Sequence, residues 1–419
     1  MNYFTLLPDD VIIFIVLLES INTVINLSRC SISLNNMLCN NDNFWKQRFI
    51  VSFGQPNEDI NSWKYACKNF GKLYAFGCNY CGTLGLGVTS GYNQLTPRHV
   101  LIPNIKVKYI TCGRYRTMII DLNDNVWSCG FNSYGDLGLG DERHRYLPTQ
   151  IRDIKAKSVS CGSYHTIIRD LNDNVWACGY NIHGQLGIGN RDNQLKPIQI
   201  PNIKAKFITC SYCRTMLIDL DDNVWGFGFN QYGTLGLGDD FNRDVPTQIR
   251  NIKAKSISCG SYHSIIRDLN DNVWVCGYNQ HGRLGLGLNT NHIQFTLIQI
   301  LNIKAKDIVC GNSHTMIIDL NDNVWSFGYN FHGDLGLDDD LDRNVPTQIL
   351  NIKAKSISCG SYHTMIIDPD DNVWACGYNI HGQLGLSDQH SRNIPTLIPN
   401  VKAKYIACGA IYTMLVTNI

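Results

Sequence analysis

The 419-residue sequence lacks any useful charge imbalance: 36 basic residues against 35 acidic ones leave a formal charge of +1. It has no block of like charge, so nothing supports a nucleic-acid tail or a membrane-surface role. It also lacks a long apolar run. The longest, Val11 to Leu18, is closed by Asp9-Asp10 and Glu19. That is short of the roughly 20 residues a membrane helix needs, and no positive leader precedes it. The expectation is a soluble, intracellular protein, cytoplasmic or nuclear, with neither nucleic acid nor membrane as partner. No Gly-Gly pair occurs anywhere.

What the sequence has instead is repetition. The stretch Asp124-Asn125-Val126-Trp127-Ser128-Cys129-Gly130-Phe131-Asn132, running on to Gly135-Asp136-Leu137-Gly138-Leu139-Gly140, returns around Trp176, Trp225, Trp274, Trp325 and Trp374. Successive tryptophans are 49, 49, 49, 51 and 49 residues apart. A diverged copy upstream has Tyr74 in the tryptophan place. A second frame alternates with the first, and its cysteine recurs at Cys112, Cys161, Cys210, Cys259, Cys310, Cys359 and Cys408. A fixed period of this size marks a repeat architecture. The array begins on a tryptophan-type half and ends on a cysteine-type half. Each completes a unit only if the two ends meet, which predicts a closed ring.

Each unit contains four short strand-like runs and no helical one, the pattern of a propeller blade. In one unit these are Ala156 to Cys161, His165 to Asp170, Val175 to Gly179 and Pro197 to Ile200, with Asn172-Asp173-Asn174 suited to a tight hairpin. Of the 17 cysteines, seven hold one repeat position. Cys129, Cys178, Cys276 and Cys376 hold another, exchanging with Phe76, Phe227 and Phe327, which marks a buried packing place. The repeated tryptophans Trp127, Trp176, Trp225, Trp274, Trp325 and Trp374 read as structural.

The first 50 residues differ. Leu7-Pro8 with Asp10 opens a helix plausibly, and apolar residues follow at spacings of three and four. This segment resembles an F-box: Leu7, Pro8, Asp10, Val11 and Ile12 match its opening, Leu27 and Cys30 its middle, and Asp42, Phe44, Trp45 and Lys46 its end. The expected organisation is an all-α F-box-like module over 1–50, a linker with one helix over 51–71, and a seven-bladed β-propeller over 72–419. The propeller frame Gly-x-Asn-x-x-Gly-x-Leu-Gly, as at Gly179, Asn181, Gly184, Leu186 and Gly187, resembles the repeats of the regulator of chromosome condensation.

The two resemblances together imply a non-catalytic adaptor, the substrate-recognition subunit of a Skp–cullin–F-box ubiquitin ligase. Leu7, Pro8, Asp10, Val11, Ile12, Leu27 and Trp45 would meet the Skp linker subunit, with cullin beyond it, and the propeller would hold an unidentified target. The alternative is a guanine-nucleotide exchange factor or other regulator of a small GTPase, since the founding member of the propeller family exchanges nucleotide on Ran. Fold alone does not transfer that function.

No catalytic residues, cofactor or metal site are expected. Cys78 and Cys81 with Cys210 and Cys213 have zinc-like spacing, yet Cys210 is one of the repeated cysteines and the two pairs sit in non-equivalent loops. His165, His263, His314 and His363 share one repeat position with Arg116, Arg214 and Tyr412, and no carboxylate or nucleophile recurs beside them. His183, His281, His332 and His381 read as exposed loop residues. UV-B photoreceptors with this propeller use a tryptophan where this chain has Arg114, Ser163, Tyr212, Ser261, Asn312, Ser361 and Ala410, so light sensing is not expected. Candidate target-binding residues are Arg114, Tyr115, Arg116, Tyr212 and Arg214, because tyrosine and arginine anchor interfaces.

Overall fold

The computed structural model describes residues 72–87, 93–100, 106–288 and 291–417. The F-box-like module over 1–50 and the linker over 51–71, with Leu7, Pro8, Asp10, Val11, Ile12, Leu27 and Trp45, lie outside the described residues. Among those described there is no α-helix, only two short 3-10 turns at Tyr80–Gly82 and Gln280–Gly282.

Seven four-stranded antiparallel units account for the strands. One consists of Val107–Cys112, Arg116–Asp121, Asn125–Gly130 and the first part of Arg145–Cys161. That last strand serves two blades. Residues 145–155 pair outward with Asn125–Gly130, and residues 156–161 become the innermost strand of the next unit, pairing with His165–Asp170. Asp153, with φ of 64°, marks the crossing. The innermost strands touch one another in an unbroken cycle of seven, and this cycle is the ring.

The closing unit draws on both ends of the chain. Leu73–Gly77 pairs with Tyr412–Thr417, register Leu73↔Val416 through Gly77↔Tyr412. Tyr412–Thr417 in turn pairs with the end of Arg392–Cys408. This is the pairing that the half-units at the two ends imply. It covers edges that would otherwise be open for pairing with another chain.

The apolar pattern follows from position in the blade. Met118, Ile119 and Ile120 are all buried in one strand, because the second strand of a blade is covered on both faces by its neighbours. A strand of that kind reads as a continuous apolar run rather than an alternation. The core is therefore a set of layers between blades. One such layer joins Met216, Ile218 and Val224 of one unit to Ile257, Cys259 and Ile266 of the next. Cys129, Cys178, Cys276, Cys376, Phe76, Phe227 and Phe327 are all fully buried in these layers.

Two polar devices fix the turns. Asp170 Oδ1 accepts the backbone N–H of Asn172 and Asn174 at 2.8 and 2.9 Å, while Oδ2 accepts Asn174 Nδ2 at 2.9 Å and Trp176 Nε1 at 3.0 Å. The same set recurs at Asp121, Asp219, Asp268, Asp319 and Asp368. The six tryptophans are thus half-buried plates pinned by an aspartate as well as packing groups. In the Gly-x-Asn frame, the buried Asn181 accepts the Leu186 N–H at 2.9 Å and donates to the Asn190 carbonyl at 2.9 Å. The glycine before it is obligatory: at Gly130, with φ of 108°, a Cβ would lie 2.4 Å from the Tyr115 carbonyl oxygen, in a backbone region that side chains disfavour.

Candidate protein-interaction face

In an antiparallel four-stranded meander, the loops joining strands one to two and three to four emerge at one end of the blade. The two-to-three hairpins emerge at the other. The two ends of this ring differ in chemistry.

The hairpin end is charged and repetitive. Lys108, Lys157, Lys255, Lys306 and Lys355 each hold the hairpin aspartate of their own blade, as Lys157 does Asp173 at 2.8 Å. Each pair is partly exposed, so it contributes little stability. Exposed leucines at 122, 171, 220, 269 and 320 stand between them.

The opposite end is aromatic, and its members differ from blade to blade. Tyr134 reaches from one blade to the next, with ring centroids 5.4 Å from Tyr164 and 4.7 Å from Tyr180. Tyr232 does the same with Tyr262 and Tyr278, at 5.4 and 5.0 Å. His332 does so with Tyr362 and Tyr378, at 5.7 and 4.6 Å. Phe131, Phe229 and Tyr329 fill the gaps. His183, His281, His332 and His381 are therefore not freely exposed loop residues: they are half-buried in this crown. His281 Nδ1 also meets Asp342 at 2.6 Å. Sequence reasoning missed the crown, although its signal was present as an aromatic or histidine one place before a loop glycine in most copies.

Below the crown a belt ties the blades together. His165, His263, His314 and His363 each meet the hydroxyl of Thr215, Thr315, Thr364 and Thr413 in the next blade, at 2.9–3.1 Å through Nε2. Each threonine donates onward to a backbone carbonyl, as Thr215 does to Gln185 at 2.9 Å. Its hydroxyl hydrogen is spent, so the histidine must donate from Nε2, leaving Nδ1 bare. Burial drives His165 and His363 down to about 3 and His314 to about 4. They are neutral connectors. Tyr412 closes the belt against Thr117 at 3.3 Å.

Arg116 and Arg214 occupy the same place and are fully buried. Grouping them with surface target-binding candidates is corrected by this geometry. Arg116 donates to Thr166 Oγ1 at 3.1 Å, to the carbonyls of Ser163 (2.8 Å), Gly162 and His165, and to Asp136 at 3.3 Å. Arg214 donates to the carbonyls of Gly260, Ser261 and His263. Neither guanidinium is free for a partner. Arg114, Tyr115 and Tyr212 do lie on the aromatic end, with Arg114 exposed and the two tyrosines half-buried.

The ring axis opens at this end into a cavity of about 310 Å³. Cys112, Cys161, Cys210, Cys259, Cys310, Cys359 and Cys408 line its wall, and Arg114, Ser163, Tyr212, Ser261, Asn312, Ser361 and Ala410 its rim. Burial pushes the Cys210, Cys310 and Cys408 thiols up to about 12, so these are protonated wall groups rather than nucleophiles. Cys78, Cys81, Cys210 and Cys213 are free thiols. Among the described residues no cluster of three or more His, Cys, Asp or Glu is placed to hold a metal ion. No helix among them is long and apolar enough to cross a membrane.

Known proteins place this geometry. The chain is similar over 74 residues to the human X-linked retinitis pigmentosa GTPase regulator, 45% identical, covering 18% of this chain and 7% of the relative. It is similar over 82 residues to the mouse serine/threonine-protein kinase Nek9, 34% identical, covering 19% and 8%. Over 109 residues it is 29% identical to mouse Protein RCC2, covering 20% and 21%. The chain thus spans a small part of the length of these curated relatives. Among solved structures, yeast RCC1 (Prp20) bound to Kap60 superposes with a TM-score of 0.76 at 17% identity, over 87% of this chain and 95% of that one. Human WBSCR16 superposes with a TM-score of 0.74 at 17% identity, over 83% and 99%. At those identities the likeness speaks to the fold alone. The regulator of chromosome condensation (RCC1) repeat matches seven times, at 71–120, 123–168, 172–214, 221–266, 270–318, 321–367 and 370–416, and the chain belongs to this repeat family.

Proposed function

We propose that the chain is a non-catalytic interaction protein whose aromatic end binds a protein partner, and that the partner is a small GTPase. The observation that carries the first part is the contrast between the two ends. One is charged, self-paired and repeated almost unchanged. The other carries its own loop ion pairs, such as Arg145 with Asp141 and Arg243 with Asp239, and adds a crown of tyrosine, phenylalanine and histidine whose members change from blade to blade, with the exposed Arg114 beside it. Aromatic and arginine side chains supply most hot-spot energy in protein interfaces, and a rigid ring presenting variable loops is how such surfaces are usually held.

The second part rests on the relatives. One is a GTPase regulator by name, and a yeast relative of the same fold is described for its binding to Gsp1p and histones. The test is a binding panel of purified small GTPases in GDP-bound, GTP-analogue-bound and nucleotide-free forms against the full chain. At least one should bind at micromolar concentration or tighter, and Tyr262→Ser with Tyr362→Ser should weaken it at least about tenfold, the loss expected on removing one interface anchor. A panel with no binder would count against the GTPase assignment.

The ubiquitin-ligase adaptor is the second reading. It rests on Leu7-Pro8 and Phe44-Trp45-Lys46 in the sequence, which resemble an F-box. Leu7→Ala with Pro8→Ala should abolish co-purification with a Skp linker subunit and cullin while GTPase binding persists. Absence of any linker binding by the intact chain at micromolar concentration would remove this reading.

A further inference from the structure

The rim of the axial cavity is held by backbone hydrogen bonds from blade to blade. The N–H of Ser163 donates to the Tyr212 carbonyl at 2.9 Å, Ser261 to Asn312 at 3.0 Å, Asn312 to Ser361 at 3.3 Å, Ser361 to Ala410 at 3.1 Å, and Ala410 to Arg114 at 3.4 Å. Two links of the seven are missing: Arg114 to Ser163, and Tyr212 to Ser261. The cause is visible. These are the two blades in which an arginine replaces the belt histidine. Arg116 takes the Ser163 carbonyl at 2.8 Å and Arg214 takes the Ser261 carbonyl at 2.7 Å. The backbone N–H groups of Arg114 and Tyr212 are left on the rim without a carbonyl acceptor. A histidine has no reach to that carbonyl, so the arginines act here by occupying an acceptor.

The Arg114 side chain stands at the same place. Its guanidinium donates to the Tyr164 hydroxyl at 3.0 Å and lies 5.2 and 5.7 Å from the ring centroids of Tyr115 and Tyr164. Those contacts orient it and use one of its five donors. Among the described residues it is the sole charged one lining the cavity, and none of the others there is a carboxylate. A fixed guanidinium on a rim of serines that carries two uncommitted backbone N–H groups, its own and that of Tyr212 two blades along, is an anion-receiving arrangement.

We infer that the axial cavity receives a side-chain carboxylate from an extended loop of the protein partner. The Arg114 guanidinium would take the carboxylate oxygens at the rim. The crown around it would cover the flanking residues. The inference rests on the interaction-platform reading above and adds the chemistry of the group that enters the axis.

The test uses phage-displayed random peptides selected on the immobilised full chain and re-measured as synthetic peptides. Selected peptides should carry Asp or Glu. Their Kd should rise about tenfold or more on Arg114→Gln, the scale of one charge-assisted hydrogen bond, and stay unchanged on Arg143→Gln, an exposed cation outside the cavity. Equal melting temperatures of the variants would exclude misfolding. Recovery of no peptide, of peptides without acidic residues, or of acidic peptides indifferent to Arg114→Gln would overturn the inference. So would displacement of a bound dye by inorganic phosphate where no acidic peptide displaces it. Neutral peptides that lose binding on Tyr262→Ala but not on Arg114→Gln would leave the aromatic platform standing and remove only the carboxylate.

Discussion

At the residue scale, the belt histidines make an acid-sensitive structure. An unfolded histidine takes up its proton near pH 6.5, whereas His165, His314 and His363 resist protonation down to about 3–4 because Nδ1 is buried without a partner. Below pH 6.5 the unfolded chain therefore binds more protons at these histidines, and their contribution to stability falls as pH falls, offset in part by Asp136, whose raised value lets the folded state take up a proton first. Each such group costs about 1.4 kcal/mol per pH unit once fully in that window. Urea unfolding between pH 7.5 and 5.5, above the main carboxylate range, should show this decline, and His314→Gln should flatten it. The buried Arg116–Asp136 pair is a second residue-scale case. Burial lifts Asp136 to about 6, against the pull of Arg116. Arg116→Gln strands that carboxylate and should cost about 3–5 kcal/mol. Adding Asp136→Asn should return part of the loss, a coupling that a double-mutant cycle reads directly.

At the element scale, the blades were legible because period and alternation are properties of the chain itself. Val126-Trp127, the Asn-Asp-Asn hairpins and the Gly-x-Asn loops each carry their conformation locally. The aspartate six residues before each tryptophan, such as Asp121 before Trp127, was equally periodic, yet its bond to the indole was not foreseen because it depends on how the hairpin folds back. Burial of Arg116 and Arg214 was not legible for a related reason: nothing local distinguishes an arginine whose acceptors come from the next blade, about 47 residues on, from one at the surface. The terminal strands make the corresponding test. Deleting residues 401–419 removes the two inner strands of the closing unit and leaves Leu73–Gly77 with an open edge. The truncated chain should be aggregated by size-exclusion chromatography and lack a cooperative melt, and an unchanged melting curve would refute the shared closing blade.

At the scale of the whole molecule, closure makes the ring rigid and leaves two ends to choose between. Both ends pair charges locally, but only the aromatic end adds half-buried rings, the exposed Arg114 and an open axis. Partners are expected to bind the aromatic end. Amide hydrogen exchange of the full chain, with and without a GTPase that binds in the panel, tests this most directly, because both ends are covered by peptides in one experiment. Protection is predicted at residues 113–116, 131–134, 162–164, 229–232 and 260–262, with the hairpin tips at 122–124, 171–173 and 220–222 unchanged. Protection confined to those hairpin tips would contradict it.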